Sequence, residues 1–270
     1  MREYFDGLCF DEEGEFLQKD RSKLIFLDKK GALYLSKRPP SDVYAVESKG
    51  DVLFDGEHQD SLINLLAMAL KRVLCSLKVK KKDLVLVVGV GNEGLTADSL
   101  GARTLTHLRV STIKTRRAGE GVLCALSPSV SGVTGIESFN VVKAVADFMS
   151  PKVIVCVDTL ATISPDRLAK IIQLKGGGIT PGAGVGNAKN ELSNLTLGVP
   201  VVAIGVPLVI YAKNILLNYL EKTKSTKPDH LKLNQTVGNM VVTAKEVDLY
   251  VEIYAKIIAQ AINLAVHGKK

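Results

Sequence analysis

The sequence predicts an α/β fold: a three-layer sandwich in which a mostly parallel central sheet is covered by helices on both faces. Three observations carry that expectation. Continuous apolar runs recur at 84–90 (LVLVVGV), 152–157 (KVIVCV) and 199–207 (VPVVAIGVP), and strands that are apolar on both faces belong inside a covered sheet. Segments with helical spacing of apolar residues lie between and around them. Each run also finishes in glycine, aspartate or proline, as strand ends do where a sheet carries a ligand site.

Taken in order, residues 1–50 read as short β segments and turns. KLIFLDKKGALYLS reads as a hairpin around Lys29, Lys30 and Gly31, and KRPPSD at 37–42 breaks the chain. Residues 60–77 have helical periodicity and open at an Asp60-Ser61 cap. The first buried strand follows at 84–90, then a helix from about Ser99 to Leu108. Residues 131–151 give a glycine-bearing turn feeding an amphipathic helix that Pro151 stops. The second buried strand, 152–157, runs straight into Asp158, and the third occupies 199–207. Between those two lies the glycine-rich stretch KGGGITPGAGVGN, 175–187. A polar connection at 221–236 leads to a long amphipathic helix, 243–267, opening at a Thr243–Glu246 capping box. The whole chain, 1–270, reads as one domain, with residues 1–40 either a β appendage or a pro-segment.

Composition narrows the function classes. Of 270 residues, 46% are apolar, enough for a sizeable core. No run reaches the ~18 consecutive apolar residues of a membrane span, and acids interrupt the first sixteen residues where a secretory signal would be apolar. A cytoplasmic protein without membrane attachment is expected. The four cysteines have no metal-type spacing; Cys75 and Cys156 sit in apolar runs and read as inert, reduced small hydrophobes. The net charge is +7, and the densest basic run, KVKKKD at 78–83, reads as a solvated loop. Without interleaved aromatics, no direct nucleic-acid contact is expected.

The chemistry-bearing residues gather at the ends of the apolar runs. Gly89, Gly91 and Gly94 match Gly-x-Gly-x-x-Gly, but a dinucleotide site also needs an acid about twenty residues on, where VSTIKTRRAGE is mostly basic, and no phosphate-loop lysine is present. Thr96 or Asp98 can cap the helix near Ser99, or Asp98 can be a catalytic carboxylate. Asp158 follows a buried run and must be solvated, paired or hydrogen-bonded; it either organises a loop or does chemistry. The glycine-rich stretch is either a turn-rich connection or a row of backbone N–H groups presented to a ligand.

Several collinear motifs between about Leu84 and His267 resemble one family, the bacterial spore germination proteases. GNEGLTADSLG resembles its Gly-Asn…Thr-Pro-Asp-x-Leu-Gly segment, SGVTGIES its Gly-x-x-Gly-Thr-Thr-Gly-Ile-Glu segment, and VIVCVDTLAT its Asp-Ala-Leu-Ala strand end. GITPGAGVGN…TLGVPVVAIGVPLVI and NMVVTAKEVD…INLAVH are similar to its glycine-rich loop, following strand and C-terminal helix. The resemblance implies an endopeptidase that degrades small, acid-soluble, DNA-binding spore proteins during germination, with an α/β sandwich similar to that of the hydrogenase maturation proteases. It implies an aspartic-type pair, Asp98 and Asp158, one acid activating water and the other polarising the carbonyl or protonating the amine. Gly91, Asn92, Gly182, Gly184, Gly186 and Asn187 are the implied substrate-binding or oxyanion residues. It further implies no cofactor or metal, a homo-oligomer (tetramer or dimer), zymogen synthesis, and residence in the cytoplasm or spore core.

The sequence departs from the family pattern at Ala97 and Ala102, which replace prolines, and at Thr159 and Ile163; the Thr-Arg-His segment has no counterpart, His107 lying upstream of its place. SDVYAVES at 41–48 resembles the start of the mature enzyme, which would make the preceding residues a pro-segment; a structural hairpin is the favoured reading. Two alternatives stand beside the carboxylate reading: a metal-dependent peptidase like the hydrogenase maturation proteases, although His58, His107, His230 and His267 do not cluster in sequence near the strand ends, and a non-catalytic peptide-binding relative.

Overall fold

The computed structural model describes residues 22–27, 31–36, 43–48, 52–112, 114–180, 190–225 and 230–268, the first two segments and His230 by backbone alone. Glycines 182, 184 and 186 and Asn187 lie outside the described residues.

A hairpin of β1 (Ser22–Leu27) and β2 (Gly31–Ser36) leads to β3 (Val43–Ser48), helix α1 (Gly56–Ser76) and β4 (Leu84–Gly89). Next come α2 (Leu100–Thr106), β5 (Val122–Leu126), α3 (Ser131–Thr134), α4 (Ser138–Met149) and β6 (Val153–Thr162). Strands β7 (Ile171–Gly176), β8 (Gly178–Ile179) and β9 (Leu192–Ser193) precede the short helix α5 (Asn194–Leu197) and β10 (Val201–Tyr211). The chain continues through α6 (Ala212–Lys222), α7 (His230–Val237), β11 (Val241–Thr243) and α8 (Val247–His267). The main sheet has the order β1-β2-β3-β7-β10-β6-β4-β5, with β11 paired to the end of β10. Its heart is parallel, β10-β6-β4-β5; β7, β3, β2 and β1 extend it antiparallel to one side.

The apolar runs are continuous because both sheet faces are covered. Val85, Val87, Val153, Val155 and Val157 face one layer with Leu62, Leu66 and Leu70 of α1, Leu100 of α2 and Tyr254, Ile258 and Ile262 of α8. Leu86, Val88, Ile154, Cys156 and Leu160 face the other, against Val142 and Ala146 of α4 and Ile179 and Leu192 of the β8–β9 hairpin. These two clusters, separated by the sheet, are the two interfaces of the expected sandwich. Helix α8 is long and apolar enough to cross a membrane by length and composition alone; here Val251, Tyr254, Ile257, Ile258 and Ile262 are buried in the first cluster.

Several sequence expectations need correction. Helix α1 begins earlier than 60 because Asp55, in an extended conformation, accepts the N–H groups of Glu57 and His58. The Thr243–Glu246 capping box does not form: Thr243 is in β11, paired with Val209, and α8 starts at Val247 without a side-chain cap. The glycine-bearing turn expected before the helix that Pro151 stops contains a one-turn helix, α3, ended by Gly135 at a left-handed φ of 72°, and the amphipathic helix itself is α4. The polar connection at 221–236 contains the end of α6 and most of α7. Cys75 is exposed on the last turn of α1 rather than buried, whereas Cys156 is buried.

Tyr254 fixes the far end of the sheet. Its ring is fully buried and its hydroxyl donates to the Ala169 carbonyl at 2.7 Å; Ala169 itself has φ of 55° and donates its N–H to the Pro207 carbonyl at 2.7 Å. Replacing Tyr254 by Phe keeps the ring and leaves the carbonyl without this donor, so Tyr254→Phe should lower unfolding free energy by roughly 1–3 kcal/mol. Urea denaturation followed by circular dichroism should show a lower midpoint at unchanged slope.

Candidate active site

The site is built on a stagger between neighbouring strands. Strand β4 pairs with β6 only as far as Gly89↔Val157, whereas β6 runs on beside β10 through Asp158↔Gly205 to Thr162↔Ile210. Asp158 is therefore inside a strand rather than at its end, as the sequence suggested; β6 continues because β10 continues with it. What ends at Asp158 is the neighbour, and the loop after β4 turns into the space so opened. The Val90 N–H makes one last bond, to the Val157 carbonyl at 2.8 Å, before the chain leaves the sheet.

Glycines make that turn possible. Gly91 has φ of 107°, and a Cβ there would sit 2.1 Å from the Asp98 carbonyl oxygen and 3.1 Å from Asp98 Oδ1. Gly101, in the first turn of α2, presses on the end of β4 and the middle of β6: its Cβ would lie 2.3 Å from the Val90 carbonyl oxygen and 2.5 Å from that of Val157. Any side chain at either position would push the loop off the sheet. Ala97 packs with Ile163 against the buried Ala161 and Val209, seating the loop on the ends of β6 and β10.

Asp98 closes a one-turn 3-10 helix, Thr96–Asp98. It does not cap α2: the cap position is Ser99, which makes no side-chain cap bond. Instead its Oδ2 accepts the Asn92 N–H at 2.7 Å, while Asn92 Oδ1 accepts the Gly94 N–H at 2.9 Å. Gly91 and Asn92, expected as substrate or oxyanion contacts, thus frame Asp98, and the Asn92 N–H is engaged by its carboxylate.

Asp158 is only 7% exposed. Strand alternation puts it on the face of Ile154, Cys156 and Leu160, the face that α4 and the β8–β9 hairpin cover. Its Oδ1 accepts the N–H of Thr159 at 2.8 Å. Opposite it, Gly205 leaves room that Leu160 fills; a Cβ there would come within 2.5 Å of the Leu160 side chain. The glycine-rich stretch springs from this same face, since β8 and β9 pair Gly178↔Ser193 and Ile179↔Leu192 at its base.

The two acids are electrically coupled and unequal. Burial pushes the Asp158 carboxyl well above the ordinary range, and the Asp98 charge raises it further against the opposing Thr159 N–H. Burial also raises Asp98, opposed by the Asn92 N–H. Asp158 therefore holds its proton to higher pH than Asp98. Cys156, two residues before it on the same face, has its thiol pushed up by burial and then by the Asp158 charge.

Gly205 stands in the sequence as a chemistry-bearing position of the third apolar run, and the structure gives it a packing role opposite Asp158; nothing in sequence pointed to Gly101 or the Thr159 N–H, whose roles depend on register and close approach. Three of the four histidines, His58, His107 and His267, are held apart by separate structural duties. His58 Nδ1 lies 2.7 Å from Asp55 Oδ2 at the start of α1, and His107 Nε2 lies 3.1 Å from Glu252 Oε1 on α8. His267 Nε2 donates to the Arg109 carbonyl at 2.7 Å. Among the described residues, no group of three His, Cys, Asp or Glu side chains is placed to hold a metal ion.

The family model of the germination protease matches residues 5–224. The chain belongs to the germination protease family. A germination protease of Clostridium acetobutylicum is 34% identical over 243 residues, 79% of this chain and 74% of that protein. That of Caldanaerobacter subterraneus subsp. tengcongensis is 33% identical over 289 residues, 96% and 88% of the two chains. That of Clostridium perfringens is 29% identical over 290 residues, again 96% and 88%. Membership of the germination protease family supports a peptidase role in germination.

The raised carboxyl has a consequence for stability. An unfolded aspartate titrates near pH 3.9, and Asp158 in the fold titrates well above that. Between those two values the folded state binds the extra proton, so stability falls as pH rises through the window. Asp158→Asn, uncharged throughout, escapes this loss. Urea midpoints measured from pH 5 to 8 should show the variant gaining on the parent towards pH 8; a gap independent of pH would contradict a raised Asp158. Gly91→Ala should cost roughly 1–3 kcal/mol through steric displacement, read from the same denaturation curves.

Proposed function

We propose that this germination-protease-family chain is an endopeptidase in which Asp98 and Asp158 together activate water, and that it cleaves small acid-soluble, DNA-binding spore proteins in the cytoplasm or spore core during germination. The observation that carries the reading is the coupled, unequal pair of carboxylates, Asp158 buried and Asp98 half-buried, where β4 ends and β6 continues. Family membership supports peptide-bond hydrolysis, and the substrate class follows the resemblance of the motifs.

The different burial of the two acids supports one division of roles. Asp98, less buried and losing its proton first, is the base: its carboxylate takes a proton from water as the oxygen attacks the peptide carbonyl carbon. Asp158, kept neutral by burial and by the Asp98 charge, is the acid: it donates a hydrogen bond to the carbonyl oxygen and then a proton to the leaving amine. After the peptide separates, Asp158 is ionised and Asp98 protonated, and exchange with solvent restores the starting state. The pair titrates as a unit, so the pH profile reports both. No metal enters this scheme, and homo-oligomerisation is part of the proposal through the family resemblance.

The test is cleavage of a purified small acid-soluble spore protein, with fragments followed by mass spectrometry. Discrete fragments from the parent, with kcat reduced about 10²–10⁴-fold in Asp98→Asn and Asp158→Asn separately, are expected. Undiminished cleavage by either variant removes that residue from the mechanism. The pH dependence of kcat/KM should be bell-shaped, with both limbs shifted upward from the pKa of a free aspartate. Activity falls on the acid limb as the pair takes up a second proton and on the alkaline limb as it loses its last one.

A further inference from the structure

The pole opposite the two acids carries a concentration of positive charge drawn from separate parts of the sequence. Because β5, β4 and β6 are adjacent and parallel, their N-terminal ends lie side by side. Lys80, Lys81 and Lys82 precede β4; Lys114, Arg116 and Arg117 precede β5; Lys152 immediately precedes β6. The end of α1 and its exit add Lys71, Arg72 and Lys78. All are exposed except Arg116, which is half-buried and ties two of these segments together: its Nη1 donates to the Glu120 carbonyl at 2.8 Å and to the Lys81 carbonyl at 3.5 Å.

The carboxylates of this pole are already engaged. Asp83 Oδ2 accepts the Lys80 N–H at 2.8 Å. Glu120 accepts the Arg117 N–H at 3.0 Å and faces Arg109 Nη2 at 3.3 Å. Lys81 Nζ donates to the Val266 carbonyl at 2.8 Å, at the rim of a cavity of about 330 Å³ that Lys71 and Lys80 also line. Lys71 and Lys81 are close enough that the charge of the first, after burial, lowers the pKa of the second. Ten cations against two carboxylates leave this pole an excess of eight, one more than the whole chain's +7, and the Lys143–Asp147 pair at the end of α4 adds one charge of each sign.

We propose that this basic pole binds the phosphate backbone of duplex DNA. In isolation the run at 78–83 is a solvated loop, the reading its sequence supports; the fold makes it one part of a surface spanning three strand starts. Adjacent strands are about 4.8 Å apart, so the three starts alone extend about 10 Å across the pole. The cations are mostly single-point lysine donors, which neutralise phosphates without reading sequence. Residues 71–83 and 114–120 contain no Phe, Tyr or Trp; the exposed Phe148 at the end of α4 is a single aromatic, not the row of stacking platforms that single strands use. The binding is independent of the carboxylate chemistry at the other pole.

Fluorescence anisotropy with a labelled mixed-sequence duplex of about 20 base pairs, titrated between about 50 and 200 mM salt, tests it. The full chain should bind at low salt, with log affinity falling linearly in log salt. Replacing three exposed lysines together, Lys71→Gln, Lys80→Gln and Lys82→Gln, should lower that slope by about 3 and weaken low-salt binding at least about tenfold. A control with the same change in net charge, Lys222→Gln, Lys224→Gln and Lys245→Gln, should bind like the parent, and so should Asp158→Asn. Absence of binding at low salt overturns the proposal. Equal loss in the two triple variants, or displacement of the duplex by polyglutamate as readily as by unlabelled duplex, overturns it as well.

Discussion

The candidate site depends on a close approach between backbones. The first turn of α2 lies so near the end of β4 and the middle of β6 that Gly101 touches the Val90 and Val157 carbonyls. This contact holds the loop carrying Asp98 against the strand carrying Asp158. It works together with the early end of β4, which leaves the β6 edge open where Asp158 sits. Ordinary side chains would separate the layers and the acids with them. The glycines here serve proximity first and conformational freedom second, the latter being decisive at Gly91.

The pair is set against the stability of the fold. A carboxylate buried near another carboxylate favours the neutral state of at least one of them, and the folded protein bears the cost when it ionises. The surroundings offset only part of this, through one backbone N–H to each acid, from Asn92 and Thr159. Two apolar clusters supply the surplus that tolerates it, with α1 and α8 on one face of the sheet and α4 on the other. Such local strain against a well-packed background is the pattern expected where a site is selected for chemistry rather than for stability.

Most of the sandwich was legible because its central strands are buried on both faces, and that constraint writes itself as an unbroken apolar run. β4, β6 and β10 announce themselves in this way. β7 does not: IIQLKG is short, contains buried Gln173, and sits in the antiparallel part of the sheet. The start of α1 was hidden because its first turn, GEHQ, is polar, and only the geometry of Asp55 identifies the cap. The capping-box pattern at Thr243 lost to strand pairing, a tertiary contact invisible to local spacing. The two acids were legible through collinear motifs. Their inequality was not, since it arises from different depths of burial at a strand register that sequence does not give.

Helix α8 packs against α1 on one side and against α2 and the 3-10 turn that ends at Asp98 on the other. Residues 99–246 separate that turn from the helix in sequence. During synthesis, the Asp98 loop is therefore made long before the surface that seats it. A nascent chain can pair β4, β5 and β6 while still lacking the wall behind the loop, and contacts so distant in sequence form late. The proposed catalytic arrangement should thus mature as one of the final events of folding, after the rest of the sheet has paired.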